Sequence, residues 1–235
     1  MSLSSTSPTP APSATPSDSP IALDLATERG EQALQVAHHV TAIYQGERHD
    51  LIRVRLAGAN LAGANLARYD CSQATLAGST LAGANLQGAT LRCNMRGADL
   101  TGANLQGVDL RNADGRGANL AGAQGQQGSF AGAFLAGAVL SNGDFTGADF
   151  RGADLRGATL VGTILQGADF TGANLSGADL SRADLEEAIL GGAMLQGANL
   201  ENAQLLCAQL DRVQWEGANL NGTCLEGTAF DLGLS

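Results

Sequence analysis

The residues of this chain best suited to metal binding or nucleophilic chemistry are three histidines and four cysteines, and their spacing argues against both. His38 and His39 are adjacent in a segment that reads as helical, where neighbours diverge by about 100°, and His49 is the one further imidazole. Cys71, Cys93, Cys207 and Cys224 are far apart and form no CxxC pair. Neither a zinc site nor a disulfide framework is expected, and reduced thiols in a cytoplasmic protein are the simplest reading. Cys71 takes a core position of a five-residue repeat, and Cys224 an outward one. Most of the 23 acidic residues recur where that repeat meets solvent, so nothing raises a carboxyl pKa as a general acid requires. Glycine is abundant, with 32 residues, but all thirteen basic residues are Arg, and without Lys no P-loop exists. No catalysis, no metal and no cofactor are expected.

Three regions divide the chain. Residues 1–22 begin with a Ser/Thr stretch that holds all five prolines. It has too little apolar surface to offset the entropy of ordering, and is expected to be a disordered tail. Residues 23–47 carry Ala33, Leu34, Ala37, Val40, Ala42, Ile43 and Tyr44, mostly on one helical face, before Gly46. They predict one short amphipathic helix that caps the repeat region. Residues 48–235 repeat every five residues. Aliphatic centres run from Leu51 to Leu91, slip by one residue at Arg92-Cys93-Asn94, and resume from Met95 to Phe230, giving 37 repeats.

A period of five suits neither ordinary helix nor straight strand. Five helical residues advance by about 140°, which scatters the centres around the axis. Five strand residues reverse the face each time. A backbone that corners once per repeat returns every centre to the same interior. The small residue two places before the centre, usually Ala, can share that interior. The Gly two places after it tolerates the dihedrals of a tight turn.

Runs such as Ala98-Asp99-Leu100-Thr101-Gly102 and Ala103-Asn104-Leu105-Gln106-Gly107 resemble the A(D/N)LXX unit of the pentapeptide-repeat family, over roughly residues 49–232. Tyr44-Gln45-Gly46-Glu47-Arg48 resembles the lead-in of many cyanobacterial members. The resemblance implies an all-β right-handed quadrilateral β-helix with four repeats per coil. It also implies that the protein binds or regulates rather than catalyses. Thirty-seven repeats make about nine coils, a rod of roughly 45 Å at about 4.8 Å per coil.

Four sides predict likeness every twenty residues. Phe130, Phe150, Phe170 and Phe230 share a side and predict an internal aromatic ladder, with Phe145 on another side. Gly97 to Gly217 form an unbroken Gly column. Gly115 and Gly125 stand where Leu is expected, each removing a buried side chain worth roughly 1.5–3 kcal/mol. Phe145 above Gly125 is a candidate filler. The alternative for these glycines, and for the slip at residues 92–94, is a distortion that shapes a binding surface.

Function is therefore sought on the walls. The side of Met95 presents Arg96, Arg116, Phe134, Arg156 and Met194, the candidate interaction face, because Arg and aromatic residues are enriched at binding hot spots. The leading expectation is a protein–protein interaction module. The resemblance extends this to a regulatory protein in a cyanobacterium, of the heterocyst-differentiation type. A second expectation, implied by the resemblance, is a DNA mimic acting on DNA gyrase or topoisomerase, for which residues 98–232 supply 16 acids and 6 Arg and hence the whole net charge of −10. A third is a structural spacer. Direct nucleic-acid binding is not expected at that charge, nor membrane insertion, since no apolar run is long enough. The last coil shows no cap, which predicts a partner or a homodimer at that end.

Overall fold

The computed structural model describes residues 20–46 and 50–229, with side chains from residue 31 onward. The expected tail up to residue 19, His49 and Phe230 lie outside the described residues.

The helix α1 spans Pro20–Tyr44, three residues earlier than the sequence suggests. It ends through Gln45 N–H to Thr41 O and Gly46 N–H to Ile43 O, with Gly46 at φ +70° in the left-handed form common at helix C-termini. Its buried face is the expected one only in part. Ala33, Leu34, Ala37 and Tyr44 are exposed, whereas Ala42 and Ile43 are buried and Val40 packs against the main core, as expected, together with Val36. The steps of four and three residues from Val36 to Val40 to Ile43 define the stripe through which, among the described side chains, α1 packs on the first coil. Tyr44 Oη donates to Ala62 O at 2.8 Å, tying the helix end to that coil.

From Asp50 to Cys224 the backbone forms four columns of isolated parallel bridges, the four walls of a quadrilateral β-helix. Wall A runs from Asp50 through Asp109 and Asp149 to Gln209. Wall B runs from Arg55 through Asp114, Phe134 and Asp154 to Gln214. Wall C runs from Asn60 through Val139 to Asn219, and wall D from Asn65 through Ile164 to Cys224. Bridged residues are twenty apart, except for four bridges of nineteen, from Thr75↔Asn94 to Thr90↔Asp109. Those four straddle the slip. There Cys93 N–H bonds to Leu91 O at 2.7 Å, a three-residue turn replacing the usual four-residue corner. Cys93 stays buried, so losing one residue shortens a corner and leaves the core in register.

One repeat shows how the backbone is satisfied. Leu155 N–H donates to Asn174 O at 2.7 Å and Gly157 N–H to Ser176 O at 3.0 Å, both in the next coil. Ala158 N–H closes the corner on Leu155 O at 3.0 Å, and Thr159 N–H reaches Ala138 O at 2.9 Å in the preceding coil. Arg156 N–H is met by a side chain, Asp154 Oδ1, at 3.3 Å. That side-chain bond is an Asx turn. It gives the Asp/Asn before each centre a local structural reason, and it recurs at Ser72, Thr101, Ala121, Thr146 and Ser181. The corner residue sits at positive φ, as a type II turn needs, supplied by Gly157 at +61° or, with strain, by residues such as Glu187 at +57°.

The centres meet along one axis. Leu155, Leu175 and Leu195 are fully buried, as are Phe130, Phe150 and Phe170. The Phe rings stack at 4.7 and 4.9 Å between centroids, and Phe145 enters from wall D edge-on to Phe130 at 5.6 Å. Phe145 occupies the room left by Gly125 and Gly143: a Cβ on either would lie within 2.4 and 2.6 Å of its ring. At Gly115 the space is taken by Leu135, whose Cδ2 would meet an added Cβ at 3.0 Å. Both Gly defects are thus packed, not hollow.

Candidate interaction wall

Wall B gathers all five residues singled out in the sequence. Arg96 and Arg116 follow the centres of successive rungs, Phe134 lies on the next, and Arg156 on the one after. Met194 is two rungs beyond Arg156 and is half-buried.

Phe134 bridges Asp114 on one side and Asp154 on the other. Each Asp holds the Arg two residues on. Arg116 Nε donates to Asp114 Oδ1 at 2.8 Å and Nη2 to Oδ2 at 2.6 Å, and Arg156 makes the same pair with Asp154 at 2.7 and 2.7 Å. The fork matches the carboxylate, so two long side chains are fixed without burial. The hydrogen bonds from Arg116 and Arg156 hold the Asp114 and Asp154 carboxyls below the usual Asp range, with Arg96 adding to the effect at Asp114 and Arg116 at Asp154. Between these pairs Phe134 leaves 48% of its surface in solvent. Phe134 also forgoes the Asx cap: among the described residues, Ala136 N–H has no side-chain acceptor like the one Arg156 N–H finds. A large apolar side chain therefore stands where the repeat favours a capping Asp or Asn.

The other walls differ in charge. Wall D has an analogous exposed residue, Ile164 at 41%, between Asp144 and Asp184. There the partners are Gln126 and Gln166, each donating at 2.8 Å, and no cation. Wall A carries Asp109, shared by Arg92 and Arg111, and Asp149 paired with Arg151. On wall B the outward cations Arg55, Arg96, Arg116 and Arg156 outnumber Asp114, Asp154 and Glu216, which holds for no other wall among the described residues.

Wall B also leads to a cleft. Near its start, an open cavity of about 710 Å³ lies between α1, through Gln32, Ala33, Gln35 and Val36, and the wall, through Arg55, Ala57, Gly58 and Thr75. Sequence reasoning did not include Arg55 in the face. It also passed over the Asp-x-Arg spacing that recurs at Asp109, Asp114, Asp149 and Asp154, the visible sign of the in-repeat ion pairs. His38 and His39 do not converge: their rings are 6.1 Å apart and edge-on, and His39 Nδ1 donates to Gln35 O at 2.7 Å.

The sequence profile of pentapeptide repeats matches eight copies in this chain, over residues 55–92, 93–124, 126–157 and 153–192. The chain belongs to the pentapeptide-repeat family, whose members fold as right-handed quadrilateral β-helices and are generally structural or interaction proteins. Among solved structures it is similar to HetL, a pentapeptide repeat protein involved in heterocyst differentiation regulation from the cyanobacterium Nostoc sp. strain PCC 7120. The identity is 31%, over 82% of this chain and 94% of that one, with a TM-score of 0.45. It is similar to Rfr23 from the cyanobacterium Cyanothece 51142 at 40% identity over 36% of this chain and 58% of that one, TM-score 0.36. It is also similar to full-length QnrB1, a plasmid-mediated fluoroquinolone resistance protein, at 19% identity over 79% and 92%, TM-score 0.29. No curated protein sequence matches the chain. Among the described residues no helix is long and apolar enough to cross a membrane.

Proposed function

We propose that this chain is a non-catalytic protein-interaction module, a rod of about nine coils and roughly 45 Å, with wall B as its contact face. The carrying observation is Phe134, exposed between two Asp–Arg pairs that are already ordered. Rigid walls lose little entropy on binding, and a part-desolvated aromatic flanked by Arg is the composition of a hot spot. Met194 extends the face along the same wall. In this reading residues 1–19 are a tail, the segment that starts with α1 at Pro20 is a helical cap, and 48–235 the binding rod. The finer assignment is a regulatory protein of a cyanobacterium, as HetL is described. Four free cysteines suit the cytoplasm.

The partly exposed core residues Val213, Trp215, Leu220 and Leu225 support a second contact, between two copies of this chain, at the C-terminal coil. The gyrase-mimic alternative is less favoured, because many of the regular carboxylates cap backbone N–H groups or hold Arg.

A photo-crosslinking residue placed at position 134, and separately at 164, tests the contact face in extract of the native host. The reading expects a discrete adduct from 134, competed by unlabelled protein but not by an Arg116→Gln/Arg156→Gln variant. Equal labelling from both walls, or none from 134, removes it.

A further inference from the structure

The cleft beside α1 and the Arg/Phe stretch lie on one wall, and together they define a track. From Arg55 to Arg156 the track covers five rung steps, about 24 Å at roughly 4.8 Å per rung. Its head is the cleft between Gln32 and Val36 of α1 and Arg55 and Thr75 of the wall. Its far part is Phe134 between the two ordered guanidinium groups.

We infer that this track receives an acidic amphipathic α-helix of a partner protein, lying along the rod axis with its end in the cleft. The inference rests on wall B being the contact face. Three observations select this occupant. First, the wall's backbone donors are mostly spent within the ladder, as the repeat from Leu155 to Thr159 shows, and an N–H left without a cap, such as that of Ala136, stands singly on its rung. An extended segment laid on the wall would find no sheet edge to join, whereas a helix satisfies its own backbone. Second, the Asp–Arg pairs use Nε and Nη2, leaving the Nη1 donors of Arg116 and Arg156 for another carboxylate. Those two residues are two rungs apart, about 9.6 Å. Residues seven apart on a helix are separated by about 10.5 Å. A helix with carboxylates at i and i+7 and an apolar residue between them places the acids on the remaining Nη1 donors of Arg116 and Arg156 and the apolar group on Phe134. Third, the chain as a whole carries −10, so an acidic helix is disfavoured on the other walls and admitted only where cations are in excess.

The test is selection against the full chain of a displayed library of helices of about 16 residues with randomised outward positions. The expected clones carry Asp or Glu seven residues apart with Leu, Met or Phe between them. Their affinity should fall by about tenfold or more on Phe134→Ser or Arg116→Gln/Arg156→Gln, by less on Arg55→Gln, and not on Ile164→Ser. Circular dichroism of each variant verifies that the rod is intact. Enrichment of basic or proline-rich clones, binding indifferent to Phe134→Ser, or no enrichment at all overturns the acidic helix. If that happens while the crosslink at 134 still forms, wall B remains a contact face with a different partner chemistry; loss of both removes the wall.

Discussion

Gly125 stands one rung below Phe145 on wall D, and a methyl group added to Gly125 would lie 2.4 Å from Phe145 Cδ1. The missing side chain at one centre and the oversized one at the next are therefore a single packing unit. Gly125→Ala should destabilise the rod by roughly 1–3 kcal/mol through overpacking. Phe145→Leu alone should also cost stability, because it opens space against Gly125 and Gly143. The pair Gly125→Ala/Phe145→Leu should cost less than the sum of the two single changes. A double-mutant cycle by urea denaturation reads the coupling, and strict additivity would sink the unit.

The cysteines should divide by burial. Burial pushes the Cys93 thiol up to about 12, and it raises Cys71 further, with Cys93 adding to the effect. Cys207 lies exposed at a corner and Cys224 is half-exposed on wall D. In the native protein at pH 8, a disulfide-exchange reagent should modify Cys207 and Cys224 and leave Cys71 and Cys93 untouched until denaturant is added. Mass spectrometry of peptides locates the label, and rapid native labelling at Cys71 would contradict its place in the core.

Acid should weaken the rod through its carboxylates. Asp114, Asp149 and Asp154 are held below the usual range chiefly by hydrogen bonds from Arg116, Arg151 and Arg156, and Asp70 by its bond to Ser72. A depressed folded pKa gives stability that is complete above the unfolded Asp value of about 3.9. It is lost as pH falls through that value toward the folded one, because the unfolded chain then takes up protons the folded one refuses. The pairs are largely open to solvent, so each contribution is modest and salt-sensitive. The urea midpoint should fall between pH 5 and 3, and Arg151→Gln/Arg156→Gln should flatten that fall. An unchanged slope in the variant would assign the acid sensitivity elsewhere.

The β-helix was legible because most repeats show the same pattern: an aliphatic centre facing the axis and a Gly at the corner, at a period that neither helix nor straight strand satisfies. The aromatic ladder at Phe130, Phe150 and Phe170 and the filling of Gly125 followed from twenty-residue spacing alone. The helix face was read correctly at Val40, Ala42 and Ile43 but not at Ala33, Leu34 and Ala37, since amphipathicity does not reveal that, among the described side chains, the turns from Val36 to Ile43 carry the packing on the rod. Phe134 and the three Arg of the wall could be placed by register. The pairing of Arg116 with Asp114 was signalled by the Asp-x-Arg spacing and passed over, whereas the cleft that brings in Arg55 depends on where α1 docks, which repeat spacing does not encode.

Phe134 gives the sharpest separation of stability from binding. Its position favours a residue that caps the N–H two places on, as Asn94 does for Arg96 at 3.2 Å and Asn174 for Ser176 at 3.1 Å. Phe134→Asn would supply that acceptor to Ala136 N–H without adding a third negative charge between Asp114 and Asp154, where like charges on adjacent rungs repel. A hydrogen bond of this kind contributes about 0.5–1.5 kcal/mol, against the partial loss of apolar burial from a ring already half in solvent. The substitution should leave thermal stability unchanged or slightly raised while removing the crosslink-competing activity of wall B. A variant that loses binding only in proportion to lost stability would make Phe134 a packing residue of the rod, whereas retained or improved stability with lost binding means that the ring is there for a partner.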